Sequence, residues 1–443
     1  MTTTACATEE ATGDAPPATG TGDVRPGTAM EDASPDGTGA SGGTGTFDGT
    51  ETFDGTGTFD GTGAPDETSA PGRPDAVRRP GFTIAADGSY AARLAPYGDV
   101  WCPERWSLDG PEAYAVPLPL DQPEEPGTEV LPLADGRVLV HRVSANRHMF
   151  SLLYPTGPGT GQLSLGAVET AELSLLPPSP SGSPAYALAP GEHSSSVWLV
   201  AGGAFGPELV AQVPGRCSGG VWLDRTGRML ALDRELDGRT RTVAVDLERG
   251  GEVSPLLQIG DDSDDRLLLA DPGSGFVVVR SDAPGHDRLG WGQLGSTLPI
   301  RFPEALCLED CAVTPFAIQP GQVLSPETCE VALRIEGIGD DDGAGGTWLG
   351  VWSPQRRRTQ LLAAPYGWLG TGLWSPGRGP EEQELLLPYV TEDTPCGLAR
   401  MPVPPQEPPL PQPSALIPAP PKPEAPRPVS LQQAQLTGRL AGG

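Results

Sequence analysis

Residues 223–250 read LDRTGRMLALDRELDGRTRTVAVDLERG, and this stretch holds the clearest copy of a pattern that recurs through the chain. A turn at Thr226-Gly227 leads into a short apolar run, Asp237-Gly238 follows that run, and a second apolar run occupies residues 242–247. Asp-Gly between two such runs is a strong hairpin signal, because both residues tolerate positive φ. The stretch therefore predicts a β-hairpin that is preceded by a turn.

The turn and the run that follows it occur seven times between residues 82 and 404, and helix-length periodic segments are missing there. Positions just before the runs are spaced 48, 46, 45, 48, 53 and 55 residues apart; they are Gly88, Gly136, Gly182, Gly227, Gly275, Thr328 and Gln383. A near-constant period of this length, with four short strands per unit, is typical of β-propeller blades. We predict an all-β, seven-bladed β-propeller over residues 81–404. Two smaller β-sandwiches are the alternative.

The repeat resembles WD40-like and TolB-like propellers and the propeller domain of prolyl-oligopeptidase-type peptidases. The likeness lies in the turn-Gly-strand pattern and in return strands such as TVAVDLERG, residues 242–250. The Gly-His and Trp-Asp pairs of WD40 repeats are missing from their usual positions. The resemblance implies the architecture and no particular activity, because one fold hosts many functions.

A return strand is expected in each unit, at residues 113–118, 148–154, 197–200, 241–247, 289–294, 347–352 and 397–403. Four tryptophans share a similar register in these strands and are predicted to pack between blades: Trp198, Trp291, Trp348 and Trp352. The first unit carries an insertion, residues 99–112, before its return strand. Trp101 and Trp106 in that insertion are candidates for a lid or a ligand contact.

The seven hairpin tips are expected on one face of the propeller, and three of the four histidines fall at or near tips. The candidate binding residues on this face are Arg147, His148, His193, Arg234, Asp237, Arg239, His286 and Arg288. Functional residues often lie on such loops, so we predict a recognition surface for a protein partner. A metal site formed by histidines of several blades is the alternative.

Motifs for several kinds of chemistry are missing. Ser218 has Arg216 two residues before it in place of the Gly of a nucleophile elbow, and only a tail follows residue 404. No phosphate-binding loop is present, and the acidic runs at 261–265 and 340–343 lack calcium-loop spacing and read as solvated turns. We predict no cofactor. A lactonase-like enzyme or small-molecule site at the channel mouth stays the alternative.

Net charge, cysteine content and the lack of export signals indicate the class of partner and the cellular compartment. The formal net charge is −29, which disfavours nucleic acid and anionic membranes. Seven cysteines without a CxxC pair suit reduced thiols, and neither an export signal nor an apolar span is visible. We therefore expect a cytoplasmic protein. The single Lys, with abundant Arg, Ala, Gly and Pro, is typical of a high-GC bacterial genome.

Two segments flank the predicted propeller. Residues 1–80 are acidic, rich in Gly, Thr and Asp, and contain three TFDGT repeats between residues 46 and 63. Residues 405–443 are Pro-rich and end in a short peptide that follows Ser430. Both compositions favour disorder or extended chain. The combined expectation is a monomeric, non-enzymatic scaffold whose tails tether or recruit protein partners.

Overall fold

The computed structural model describes residues 81–337, 346–356, 358–375 and 383–402. Within these ranges, 26 β-strands form seven antiparallel sheets. The protein is a seven-bladed β-propeller, as the sequence predicts. Both tails and the acidic run at 340–343 lie outside the described residues.

Each blade takes its strands from one continuous segment of chain. Blade 1 holds β1 (Thr83–Ile84), β2 (Tyr90–Tyr97), β3 (Val100–Ser107) and β4 (Tyr114–Pro117); blade 2 holds β5 (Glu129–Pro132), β6 (Val138–Ser144), β7 (Arg147–Pro155) and β8 (Thr160–Glu169). Blade 3 holds β9 (Ser174–Leu175), β10 (Ala185–Ala189), β11 (Ser194–Ala201) and β12 (Glu208–Pro214); blade 4 holds β13 (Arg216–Trp222), β14 (Met229–Leu236), β15 (Arg239–Asp246) and β16 (Glu252–Leu257).

The remaining three blades follow the same order. Blade 5 holds β17 (Asp265–Ala270), β18 (Phe276–Ser281) and β19 (Arg288–Gln293); blade 6 holds β20 (Cys311–Ile318), β21 (Val331–Gly337), β22 (Thr347–Trp352) and β23 (Gln360–Leu362); blade 7 holds β24 (Leu373–Trp374), β25 (Glu384–Tyr389) and β26 (Gly397–Pro402). In the described ranges, three 3₁₀ turns lie between strands, at Leu247–Arg249, Glu304–Leu306 and Pro326–Thr328. In blade 5 a single bridge between Trp291 and Arg301 stands where blades 1 to 4 and 6 have a fourth strand.

Hydrogen bonding within each sheet follows chain order, so the first strand of every blade is an edge strand. First strands of successive blades pack against one another, as β5 does with β1 and β9. They therefore line the central channel of the propeller. The hairpins between second and third strands lie at one end of the blades, and the turns between first and second strands lie at the other.

In five blades, a glycine with positive φ forms part of the turn that precedes the second strand. Gly88, Gly136, Gly182, Gly227 and Gly275 all have φ between +72° and +82°, a region that costs other residues free energy. A Cβ on Gly227 would also lie 2.6 Å from the Ser179 Oγ of the preceding blade. Five of the seven sequence anchors are thus positions where backbone geometry requires Gly.

The core lies between blades. Leu188 and Val197 of blade 3 pack with Leu230 and Val245 of blade 4 in one buried cluster, and similar clusters join other neighbouring blades. Blade 7 meets blade 1 through a cluster that contains Trp106 and partly buried residues such as Leu398. The ring of blades therefore closes by apolar packing.

The predicted return strands agree with third strands in blades 2 to 7, and the prediction for blade 1 is wrong. Residues 100–107, taken as an insertion, form the third strand β3, and residues 114–117 form the fourth strand β4. The register explains this, since a two-residue turn at Gly98-Asp99 pairs Tyr97 with Val100. Trp352 is buried as predicted, whereas Trp348 is 43% exposed near its hairpin tip.

Candidate functional site

The hairpin face, as we name it, comprises the tips that join second and third strands. Its described tips are Tyr97–Val100, Ser144–Arg147, residues 190–193, Leu236–Arg239, residues 282–287 and residues 390–396. Asp237 and Gly238 have φ of +54° and +73°, which is the geometry of a tight two-residue hairpin turn. The local sequence thus projects the flanking side chains outward.

Most of the predicted site residues lie on this face, on different blades. Arg147, His193, Asp237, Arg239 and His286 are exposed at tips of blades 2 to 5. Their placement spreads them around the face instead of gathering them in one cavity. They therefore offer a broad surface for contact.

The side chains of two further predicted residues, Arg234 and Arg288, are partly buried. Arg234 lies in β14, with its guanidinium Nε buried and unbonded among the described residues. Arg288 lines a cavity of about 100 Å³ between blades 5 and 6 and forms a 2.9 Å ion pair with Glu304. Both side chains are less available to a partner than Arg147 and Arg239.

None of the apolar side chains on the hairpin face was predicted from the sequence to lie there. Large hydrophobic residues are exposed at or beside the tips of blades 1, 2, 4 and 6; they are Tyr97, Val100, Val143, Leu236 and Trp348. Their signal in the sequence is an apolar residue directly beside a turn. The face therefore combines arginine with aromatic and aliphatic groups.

The prediction that Trp101 and Trp106 lie in an insertion, as a lid or a ligand contact, is corrected, because both belong to strand β3. Trp106 is fully buried, its ring packs edge-on to Phe82 with centroids 4.8 Å apart, and its indole N–H donates to Glu104. Trp101 is partly exposed and lines a groove of about 240 Å³ near the tip of blade 1. Trp106 is a core residue, and Trp101 remains accessible.

His148 also differs from its predicted exposed position. It is the second residue of β7, next to the tip, and only 3% of its surface is exposed. Its Nδ1 lies 2.9 Å from Nε2 of His141, and its Nε2 lies 3.2 Å from the carbonyl oxygen of Thr170. His148 therefore belongs to an internal hydrogen-bonded chain.

That chain continues through His141 to the central channel. Nδ1 of His141 lies 2.9 Å from Oε2 of Glu129, which also accepts a 3.1 Å hydrogen bond from the backbone N–H of Leu175 in blade 3. Phe150 stacks on the His141 ring. The sequence reasoning missed His141 and Glu129, although a tip at residues 145 and 146 places His141 and His148 on the same face of one hairpin.

Counting donors assigns the protons in this chain. A carbonyl oxygen only accepts, so His148 Nε2 carries a proton, and its Nδ1 accepts from His141 Nε2. The chain ends at the 2.9 Å contact between His141 Nδ1 and Glu129 Oε2. Burial, and then repulsion from His141, lower the pKa of His148, which agrees with a neutral His148.

Glu129 opens on a cavity of about 500 Å³ in the central channel. The lining comes from the first strands of blades 1, 2 and 3 and from adjoining residues, among them Thr83, Leu94, Leu131, Leu176 and Pro177. Cavities of roughly 300–1,000 Å³ with apolar walls and few polar groups are typical of small-molecule sites. The channel thus provides a second candidate site.

The acidic run at 261–265 is a solvated turn only in part. Asp261 and Asp262 are exposed, but Asp265 is fully buried and accepts hydrogen bonds from Ser263 Oγ, Ser281 Oγ and the Ile259 N–H. Its carboxylate is thereby satisfied inside the protein, which is the condition for burying a charge. Asp265 fixes the connection between blades 4 and 5.

Among the residues that the structure describes, no group of three or more His, Cys, Asp or Glu side chains is arranged to hold a metal ion. Within the same ranges, no helix is long and apolar enough to cross a membrane.

Comparison with solved structures finds chains of low sequence identity. Prolyl oligopeptidase B from Galerina marginata aligns with 70% of this chain and 46% of its own length, at 12% identity and a TM-score of 0.43. TolB from Acinetobacter baumannii aligns over 70% of this chain and 79% of its own, at 10% identity and a TM-score of 0.36. Acylaminoacyl peptidase from Pyrococcus horikoshii aligns over 73% and 51%, at 9% identity and a TM-score of 0.41.

The chain spans about half the length of the peptidases that it is similar to. No protein-family model matches the chain. No curated protein matches it either. The seven sheets of this structure establish the fold.

Proposed function

We propose that the protein is a cytoplasmic, monomeric and non-enzymatic scaffold that binds a protein partner with its hairpin face. The observation that carries the proposal is the composition of the tips, where exposed Tyr97, Leu236 and Trp348 stand among exposed Arg147 and Arg239. Aromatic residues and arginine are enriched where binding energy concentrates in protein interfaces.

The two arginines point to the chemistry of the partner. Neither Arg147 nor Arg239 has an ion-pair partner among the described residues, although the chain carries a net charge of −29. Carboxylates on a partner would pair with them as the apolar tips are buried. The flanking segments, residues 1–80 and 405–443, are proposed to tether or recruit further partners.

The test is capture of partners from a lysate of the source cells by the full chain, with partner amounts quantified by mass spectrometry. Arg147→Glu and Arg239→Glu are each expected to reduce the captured partner at least tenfold, because like charges would then meet. Arg225→Glu is the matched control, since Arg225 is exposed on a turn between first and second strands at the other end of the blades. Equal capture by all variants contradicts the proposal.

The second candidate function is small-molecule binding in the central cavity, supported by its volume of about 500 Å³ and its mainly apolar lining. Replacing Leu131 with Trp would fill part of that space. Calorimetry with Ca²⁺ and Zn²⁺, and thermal-shift screening of small molecules, test this function. Stoichiometric binding that Leu131→Trp abolishes would favour it over the scaffold.

A further inference from the structure

An open groove of about 240 Å³ lies on the hairpin face beside blade 1. The β2–β3 hairpin forms one wall, and residues 119–124, which lead to blade 2, form the other. Side chains that line it include Tyr97, Val100, Trp101, Pro119, Leu120 and Pro123. Tyr97 is 67% exposed. Aromatic-lined grooves of this kind bind proline-rich segments in the polyproline II conformation.

The two walls are held in place by main-chain and side-chain bonds. The backbone N–H of Glu124 donates to the Trp101 carbonyl at 3.0 Å, so the second wall pairs with β3. The Glu124 carboxylate is buried and accepts from Arg142 at 2.5 Å. A groove with fixed walls loses little conformational entropy when a ligand binds.

The rim of the groove is acidic. Asp99, Asp121 and Glu125 are exposed next to its walls, and none of them forms an ion pair within the part of the chain that the structure describes. A proline-rich ligand with basic residues would therefore complement both the aromatic lining and the rim.

The chain itself carries such a ligand in its C-terminal segment. Residues 418–422 read PAPPK and residues 423–427 read PEAPR, so two PxxP units stand in tandem and each is followed directly by a basic residue. Lys422 is the only lysine in the protein. PxxP spacing places the two prolines on one side of a polyproline II helix, because that helix has about three residues per turn.

The segment is long enough to reach the groove. β26 ends at Pro402, at the end of blade 7 opposite the hairpin face, and blade 7 packs on blade 1. An eight-residue strand such as β3 spans about 26 Å at about 3.3 Å per residue. The 16 residues from Pro402 to Pro418 span about 50 Å in extended proline-rich chain at about 3.1 Å each.

We propose that residues 418–427 dock in this groove within the same molecule, with prolines against Tyr97 and Trp101 and with Lys422 and Arg427 beside the acidic rim. The attached segment has an advantage over free peptides, because a linker of this length gives an effective concentration in the millimolar range. This inference rests on the proposed function, since the docked segment would cover part of the hairpin face and compete with a partner there.

The experiment measures binding of a fluorescein-labelled peptide of residues 415–430 to two forms of the full chain by fluorescence anisotropy. One form is the wild type, and the other carries Ser at Pro418, Pro421, Pro423 and Pro426. The serine form is expected to bind the peptide at least tenfold more tightly, because its own segment no longer competes. In that background Tyr97→Ala or Trp101→Ala should weaken binding at least tenfold. Phe205→Ala, which changes a 99% exposed aromatic residue of blade 3, is the control and should leave binding unchanged.

Several results would overturn the proposal. One is no binding to a serine form whose circular dichroism and melting temperature match the wild type. Another is equal affinity for both forms, which would show that the segment does not occupy the groove. A wild-type dimer in light scattering that the serine form lacks would assign the groove to a second copy and also overturn docking within one molecule.

The outcome is separable from the test of the proposed function. If the peptide binds as expected while capture of a partner is insensitive to Arg147→Glu and Arg239→Glu, only the proposed function fails. If capture depends on those arginines but the peptide does not bind, only the docking proposal fails.

Discussion

Replacement of Trp106 with alanine tests the closure of the propeller ring. The side chain is fully buried between blades 1 and 7, packs edge-on to Phe82, and lies 5.5 Å from the Arg93 guanidinium. Removal of a buried Trp ring costs about 3–5 kcal/mol, and an aromatic pair adds about 0.5–1.5 kcal/mol. Loss of the indole N–H matters less, because Glu104 keeps its 2.6 Å bond from Arg93.

We therefore expect Trp106→Ala to lower the free energy of unfolding by about 4 kcal/mol, a large part of the roughly 5–15 kcal/mol that stabilises a typical protein. Urea unfolding followed by far-ultraviolet circular dichroism measures the loss. Trp101→Ala, in the same strand but partly exposed, is the control and should cost about 1 kcal/mol. A loss below about 1 kcal/mol for Trp106→Ala would refute its role in the core.

Three further predictions concern stability. The pKa of His148 is lowered in the folded protein, so the unfolded chain takes up a proton at higher pH than the folded one. The free energy of unfolding should therefore fall as the pH drops below about 6.5. In urea titrations between pH 7.5 and 5.5, His148→Gln should show a smaller decrease in the free energy of unfolding than the wild type. Asp265→Ala should lower the free energy of unfolding by about 3 kcal/mol in the same assay, because the Ser281 Oγ and the Ile259 N–H lose their acceptor, and Asp265→Asn should lower it less. In thermal denaturation, Gly227→Ala should lower the melting temperature more than Gly238→Ala does. Both glycines have positive φ, but only at Gly227 would the added Cβ contact a neighbouring blade. Equal decreases in melting temperature would contradict that contact.

The blade count was predictable because it depends on local backbone geometry. Five anchors are Gly with positive φ before a second strand, and such positions are visible in a sequence. The sixth anchor, Thr328, is not a Gly, and the residues directly before the seventh, Gln383, lie outside the described ranges. Thr328 belongs to a 3₁₀ turn that ends three residues before β21.

In the first blade β3 contains Pro103, and a proline usually argues against a strand, so β3 is hard to recognise from the sequence. In the structure Pro103 needs no N–H, and its carbonyl accepts a 2.8 Å bond from Leu118. Burial of Trp106 depends on blade 7, which is more than 250 residues away in the chain. No local sequence pattern indicates a contact between residues this far apart in the chain.

The surface was only partly predictable for a related reason. The tips carrying Arg147, Asp237 and Arg239 follow from hairpin signals in the sequence. The burial of His148 depends on its contacts with His141 and Thr170, which come from the register of β7 with its neighbours. Register is fixed by packing across the whole sheet, so the chain that links Glu129 to His148 emerges only in three dimensions.

Hydrogen–deuterium exchange of the full chain, with and without the protein that it captures, tests the recognition role of the hairpin face most directly. Binding should slow exchange at residues 97–100, 144–147 and 236–239, and leave the turns at 85–89 and 223–228 unchanged. Protection confined to those turns at the other end of the blades would contradict the account.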